Sequence, residues 1–143
     1  MKIAVRIVAI LSTLVGGLAL VGVFLPVNHE ASRSADLPKP PEVVFALLSD
    51  VNNYQAWWPG ATVKSEVVDS QSPSKIVTRV IGETQFGGTW TIDVAPTANG
   101  SRVTITERGE IYNVIFRTLS KFVFGYTSTM EDCLAAAQEK LST

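Results

Sequence analysis

From Ile7 to Leu25 the chain carries no charge at all, and every other hydrophobic run in it is shorter and patterned. A helix that crosses a bilayer needs roughly 20 apolar residues, whereas the apolar part of a secretory signal is about 7–15 long. Lys2 and Arg6 precede the run, and Glu30 is the first charge after it. The pattern therefore predicts an uncleaved signal anchor within residues 1–26, a single-pass membrane segment over residues 7–25. The positive flank predicts a cytoplasmic N-terminus and an outer, periplasmic or extracellular, location for residues 27–143. A cleaved signal peptide stays open as the alternative, although no A-x-A-like site stands near Leu25-Pro26-Val27. Ser12/Gly16 and Thr13/Gly17 are small-xxx-small pairs of the kind that let helices approach.

Beyond the anchor the periodicity changes. VNHEASRSADLP alternates small and polar residues and reads as extended. PKPPEVVFALLSDV opens a helix, with Pro40 and Pro41 suited to its first turn and Glu42 to the positive end of its dipole. Val44, Leu47, Leu48 and Val51 follow the spacing of one buried stripe. NNYQAWW gives a second short helical turn, stopped at Pro59-Gly60. TVKSEVVD, KIVTRVIG, FGGTWTIDVA and SRVTITERGEIY read as strands divided by turn residues, the last two as an antiparallel hairpin. Period two groups Trp90, Ile92 and Val94 on one face of the first strand of that hairpin, and Val103, Ile105 and Glu107 together on one face of the second. Gly87-Gly88 predicts a bend in the sheet. From Asn113 to Leu141 the spacing predicts one long helix with Ile115, Leu119, Phe122, Tyr126, Met130, Cys133, Ala137 and Leu141 on its stripe, and a bend at Gly125. The order is that of an α+β domain in which a long helix lies across a curved antiparallel sheet.

Composition narrows the partners. With Lys2 and Arg6 set aside, ten basic residues face all thirteen acidic ones, a net charge of −3. No basic stripe is present to neutralise phosphates, so nucleic acid is not an expected partner. Cys133 is the only cysteine, which excludes an intramolecular disulfide and a cysteine zinc cage; its apolar neighbours predict a small buried hydrophobe. His29 is the only histidine, so a nucleophile–histidine arrangement would depend on one residue beside the anchor. No metal or cofactor is expected, and the sequence leaves the oligomeric state open.

The stretches PPEVVFALLSDVNNYQAWWPG, SPSKIVTRV, FGGTWTIDVAPTANGSRVTITERGEIYN and IFRTLSKFVFG, in that order, resemble the START-like helix-grip superfamily, also called SRPBCC. Within it the chain is most similar to the membrane-anchored branch of polyketide cyclase/dehydrase and lipid-transport proteins. The resemblance implies a cavity between sheet and long helix that suits a hydrophobic small molecule or lipid. It also exposes a departure: family members carry six or seven strands, and this chain has room for about five. Trp58 reaches Val63 directly where two strands normally intervene, so one side of the cavity is expected to be open or lost.

The expected pocket comprises Trp57, Trp58, Arg79, Trp90, Glu107, Tyr112, Phe122 and Tyr126. Trp57 and Trp58, being adjacent, cannot point the same way; one is expected to plug the core and the other to sit at a rim. Glu107 is the candidate polar anchor or general acid/base, with Arg79 and Arg108 as conceivable partners, or else it lies near a strand end where water reaches it. Arg79, between Val77 and Ile81, would pack its stem and free its head. Arg117 and Lys121 could meet anionic head groups or form a solvated face. Three functions stay open: a membrane-tethered binding domain, a polyketide cyclase/dehydratase-like enzyme using Glu107, and a non-binding structural or adaptor domain.

Overall fold

A computed structural model describes residues 1–143. Helix α1, Lys2–Phe24, is long and apolar enough to cross a membrane. After it come strand β1, Asn28–Leu37, helix α2, Pro41–Ser49, and a 3₁₀ turn, Val51–Ala56. Strands β2, Ser65–Gln71, β3, Lys75–Val80, β4, Phe86–Thr97, and β5, Gly100–Ile111, complete one antiparallel sheet in the order β1-β5-β4-β3-β2. Helix α3, Val114–Leu119, runs into a π-helical turn, Ser120–Phe124, and helix α4, Ser128–Ser142, closes the chain. The α+β helix-grip architecture expected from the sequence is present, with five strands.

The register explains the core. Ile76, Ile92 and Ile105 pair in a row across β3, β4 and β5, and all three are fully buried. Val94 and Val103 form the next row. Helix α2 sets Val44 and Leu48 on this face, and α4 sets Met130, Cys133, Leu134, Ala137 and Leu141 on it. These side chains fill the concave face through its middle. Two shallow surface hollows lie elsewhere: one along α1 between Ala9 and Val21, and a polar one of about 380 Å³ beside Leu37 and Asn99. Cys133 belongs to the packed interior, where burial pushes its thiol up to about 12.

The single C-terminal helix expected from Asn113 to Leu141 is instead two. Asn113 caps α3 by accepting from the Phe116 N–H at 3.0 Å. Gly125 then takes a positive φ of 74°, and the chain turns before α4. The stripe holds from Met130 onward, whereas Phe122 projects away from the sheet and is 66 % exposed. The first half is apolar on several sides because it has a different partner: it packs on the end of α1.

That contact is close and polar at its centre. A Cβ on Gly22 would stand 1.9 Å from the Val114 carbonyl oxygen, so the two helices meet backbone to backbone. Thr118 donates its hydroxyl to the Leu18 carbonyl at 2.7 Å. Arg117, neither solvated nor free for a head group, is only 6 % exposed. Its Nη1 donates to the carbonyls of Gly22 and Leu25, its Nε to Ile111 and its Nη2 to Tyr112. A guanidinium at the carbonyl end of α1 also meets the negative pole of that helix. Gly16 and Gly17, the glycines of the small-xxx-small pairs, touch nothing; Gly22 makes the approach.

Gly16→Leu is therefore expected to leave the full-length protein in detergent unchanged. Gly22→Leu should lower its stability by at least the 1–3 kcal/mol or so typical of overpacking and open the α1–β1 junction to protease. Equal behaviour of the two variants in thermal unfolding and proteolysis would contradict the α1–α3 contact.

Candidate functional site

Polarity on the inner face rises toward the end from which α1 emerges. Past the isoleucine row comes Thr78–Trp90–Glu107–Ala31, and past that the row Gly88–Gly109–His29. Both glycines are required by what surrounds them. Gly88 has a φ of 129°, and a Cβ there would stand 2.4 Å from the Arg108 carbonyl oxygen. A Cβ on Gly109 would stand 2.2 Å from Cε1 of His29, so the imidazole lies over bare backbone. Tyr126, the residue after Gly125, stacks on the imidazole with ring centroids 4.1 Å apart and planes at 15°.

Held flat between Gly109 and Tyr126, His29 reaches Glu107. Its Nε2 lies 2.8 Å from Glu107 Oε1, and Trp90 Nε1 donates to Glu107 Oε2 at 2.5 Å. The carboxylate thus has a partner on each oxygen, and water reaches about a fifth of its side chain. Trp90 stacks on Trp58 at 6.0 Å; Trp58 leans on Trp57 at 6.3 Å, and Tyr54 meets Trp57 edge-on at 5.3 Å. The Tyr54 hydroxyl donates to the Leu48 carbonyl, which ties the 3₁₀ turn to α2. One band of rings and one ion-pair-like polar contact therefore cross the end of the grip.

The chemistry available follows from tautomer. A neutral His29 that donates from Nε2 to the carboxylate keeps a lone pair on Nδ1. Nδ1 has no protein partner and is not sealed from solvent. It can accept a hydrogen bond or a proton from a molecule entering at that end.

The residues expected to form the pocket divide into two groups. Trp90, Glu107 and Tyr126 meet at this site, with Trp58 behind them as a buried plug and Trp57 half-buried at its side. Arg79 lies on the outer face, because the pairing of Ile76 with Ile92 turns Ile76 and Thr78 inward; its head meets Glu66 at 2.6 Å. Tyr112 is on the outer face too, beside Gly87, and donates to Glu110, whose carboxylate holds the phenol above its usual range. Phe122 lies off the grip. Neither Arg79 nor Arg108 serves Glu107, since Arg108 pairs with Glu30. The partner that sequence reasoning missed is His29. The signal for it was the period-two set His29, Ala31, Arg33, Ala35 and Leu37, in which only Arg33 is charged and reaches out to Glu131 on α4; it puts the histidine on the inner face once β1 is paired.

As the only histidine, His29 gives one Hε1 signal in proton NMR. Stacking on Tyr126 should displace that signal upfield, and Tyr126→Leu should return it toward the position of free histidine. An unmoved signal would mean that the ring does not lie under Tyr126. Gly109→Ala should shift it as well, because the added methyl evicts the imidazole.

The family described as polyketide cyclase/dehydrase and lipid transport matches residues 28–93. No curated protein matches the sequence. Among solved structures, a START superfamily protein from Mycobacterium smegmatis superposes with a TM-score of 0.63 at 12% identity, over 80% of this chain and 97% of that one. The di-domain ARO/CYC protein of the steffimycin biosynthetic pathway gives 0.61 at 12% identity, over 81% of this chain and 52% of its own. Norcoclaurine synthase of Thalictrum flavumn gives 0.59 at 11% identity, over 82% and 96%. At such identities the likeness concerns the fold. Element order, topology and the family match agree: the protein has the START-like helix-grip fold.

Proposed function

We propose that the protein is a membrane-tethered domain that binds an amphipathic small molecule or lipid at the α1 end of its grip. The observation that carries this reading is the His29–Glu107–Trp90 cluster, set among aromatic rings at the end of a face that is otherwise apolar and packed. Apolar walls with a few convergent polar groups are the usual make-up of a small-molecule site. The ligand's apolar part would lie against Trp57, Trp90 and Tyr126, with a hydroxyl or carbonyl on the polar cluster. Support for the tether is the apolar length of α1, and Lys2 and Arg6 support a cytoplasmic N-terminus with the domain on the outer side.

The matched family's description names both lipid transport and cyclase/dehydrase chemistry. A second reading, a cyclase-like enzyme, draws on the same pair: a carboxylate that orients an imidazole is a general-base arrangement. The two readings part at His29. In the binding reading, His29→Phe keeps the stack on Tyr126 and weakens binding by removing a polar partner. In the enzymatic one, binding survives and turnover of a polyketide-like substrate is lost.

Native mass spectrometry of the full chain, released from mild detergent, tests the proposal. Deleting α1 would strip Arg117 of the Gly22 and Leu25 carbonyls, so the whole chain is the proper sample. A co-purifying small molecule is expected on the wild type. Its occupancy should fall about tenfold in His29→Phe, the equivalent of about 1.4 kcal/mol for a hydrogen bond lost. Wild-type chain free of any bound molecule after purification from cells, and unresponsive to added fatty acid, would sink the binding reading.

A further inference from the structure

We infer that α3 and the π-helical turn after it form a second membrane-inserted element, seated in the outer leaflet beside α1, with the lipid bilayer as the occupant of their exposed apolar face. The inference rests on the tether reading above and goes beyond it, because a tether alone leaves the domain in water.

Depth is the first argument. At about 1.5 Å per residue α1 is about 35 Å long, slightly more than the roughly 30 Å hydrocarbon layer. Thr118 is hydrogen-bonded to Leu18, and Val114 lies against Gly22. Helix α3 therefore runs antiparallel to the end of α1 and descends along it. Leu18 lies about 9 Å short of Phe24 along the axis. A bilayer around α1 takes in the middle of α3 at the same level.

The surface is the second. Phe116, Phe122, Val123 and Phe124 are 42 %, 66 %, 67 % and 55 % exposed. The Phe124 ring lies 6.4 Å from Phe116, and Phe116 lies 6.2 Å from Phe86 at the start of β4. The apolar ridge is thus continuous from the flank of α1 to the rim of the grip. Large contiguous apolar patches are uncommon on water-facing protein surfaces.

The polar groups of the segment supply the third argument. Non-aqueous surroundings require polar groups to be satisfied within the protein. Arg117 donates only to carbonyl oxygens, and the Thr118 hydroxyl also approaches the Val114 carbonyl. An arginine with no carboxylate partner, closed off by four carbonyls, fits that requirement. Lys121 is the one exposed charge on the element, and its long stem can lift the ammonium to the phosphate level. The consequence for the site is direct: its rim meets lipid, so a ligand can pass from the leaflet without crossing water.

Nitroxide labels test this in the full chain, reconstituted in vesicles of phosphatidylcholine and phosphatidylglycerol. Labels go singly on Leu11→Cys, Phe122→Cys, Val123→Cys and Ser70→Cys. Buried Cys133, with its thiol pushed up to about 12, stays protonated and unreacted during labelling. Collisions with oxygen, which concentrates in lipid, are compared with collisions with a water-soluble nickel chelate. The expected result is a loss of nickel collisions at 11, 122 and 123 relative to 70. Lipid exposure at 11 with nickel access at 122 and 123 equal to that at 70 overturns the inference and leaves the tether standing. Nickel access at 11 overturns both. Spin–spin broadening at 122 that disappears on dilution with unlabelled chain would assign the ridge to a second copy and overturn the lipid assignment.

Discussion

One guanidinium joins the two halves of this molecule. Beside the short covalent joint from α1 to β1, Arg117 gathers carbonyls from the end of α1 and from the end of β5, and so pins α3 to both. Hydrogen bonds to a charged group are worth about 1.5–3 kcal/mol each, and a buried charge left unpaired costs several. The clamp is therefore hard to release in parts. It fixes α3 along α1, and that in turn forces the chain to reverse at Gly125 before α4 can return to the sheet. The reversal delivers Tyr126 onto His29. The geometry of the site is thus set partly by a contact on the far side of a helix break.

Much of the fold was legible because it rests on period and punctuation. The strands alternate, the prolines open α2, and the apolar run of α1 has no polar interruption. The failures are of one kind: each depended on a partner that a linear pattern does not name. Arg79 was assigned to the wrong face because Val77 and Ile81 alternate as convincingly as Ile76 and Thr78. The cross-strand pairing with Ile92 decides between them. The continuous C-terminal stripe was real as a pattern, but its first half answers to α1 and its second to the sheet.

The candidate site shows the same division. Alternation set Trp90 beside Ile92 and Glu107 beside Ile105, each within its own strand, and the register makes the two direct neighbours on one face. In the sequence His29 stands only as a lone histidine beside the apolar run, not as a partner for Glu107. Its position depends on Gly109, whose missing side chain lets the ring lie flat across β5. A glycine in a strand announces that something comes close, not what comes.

The short sheet has a structural counterpart in the filled interior. With five strands, the concave face is narrow enough for Val44, Leu48, Met130 and three isoleucines to close it, and the polar cluster stays at one end. The same economy appears in the joint between α1 and β1, which consists of Leu25, Pro26 and Val27 alone. Fully extended, three residues span about 11 Å, and Arg117 holds Leu25 besides. Such a joint has no slack. A domain on a long flexible leash explores a hemisphere and can visit partners across a compartment. Under the proposed tether, a domain so joined would instead diffuse laterally in a fixed posture, and whatever it exchanged would have to be presented within contact distance of the same surface.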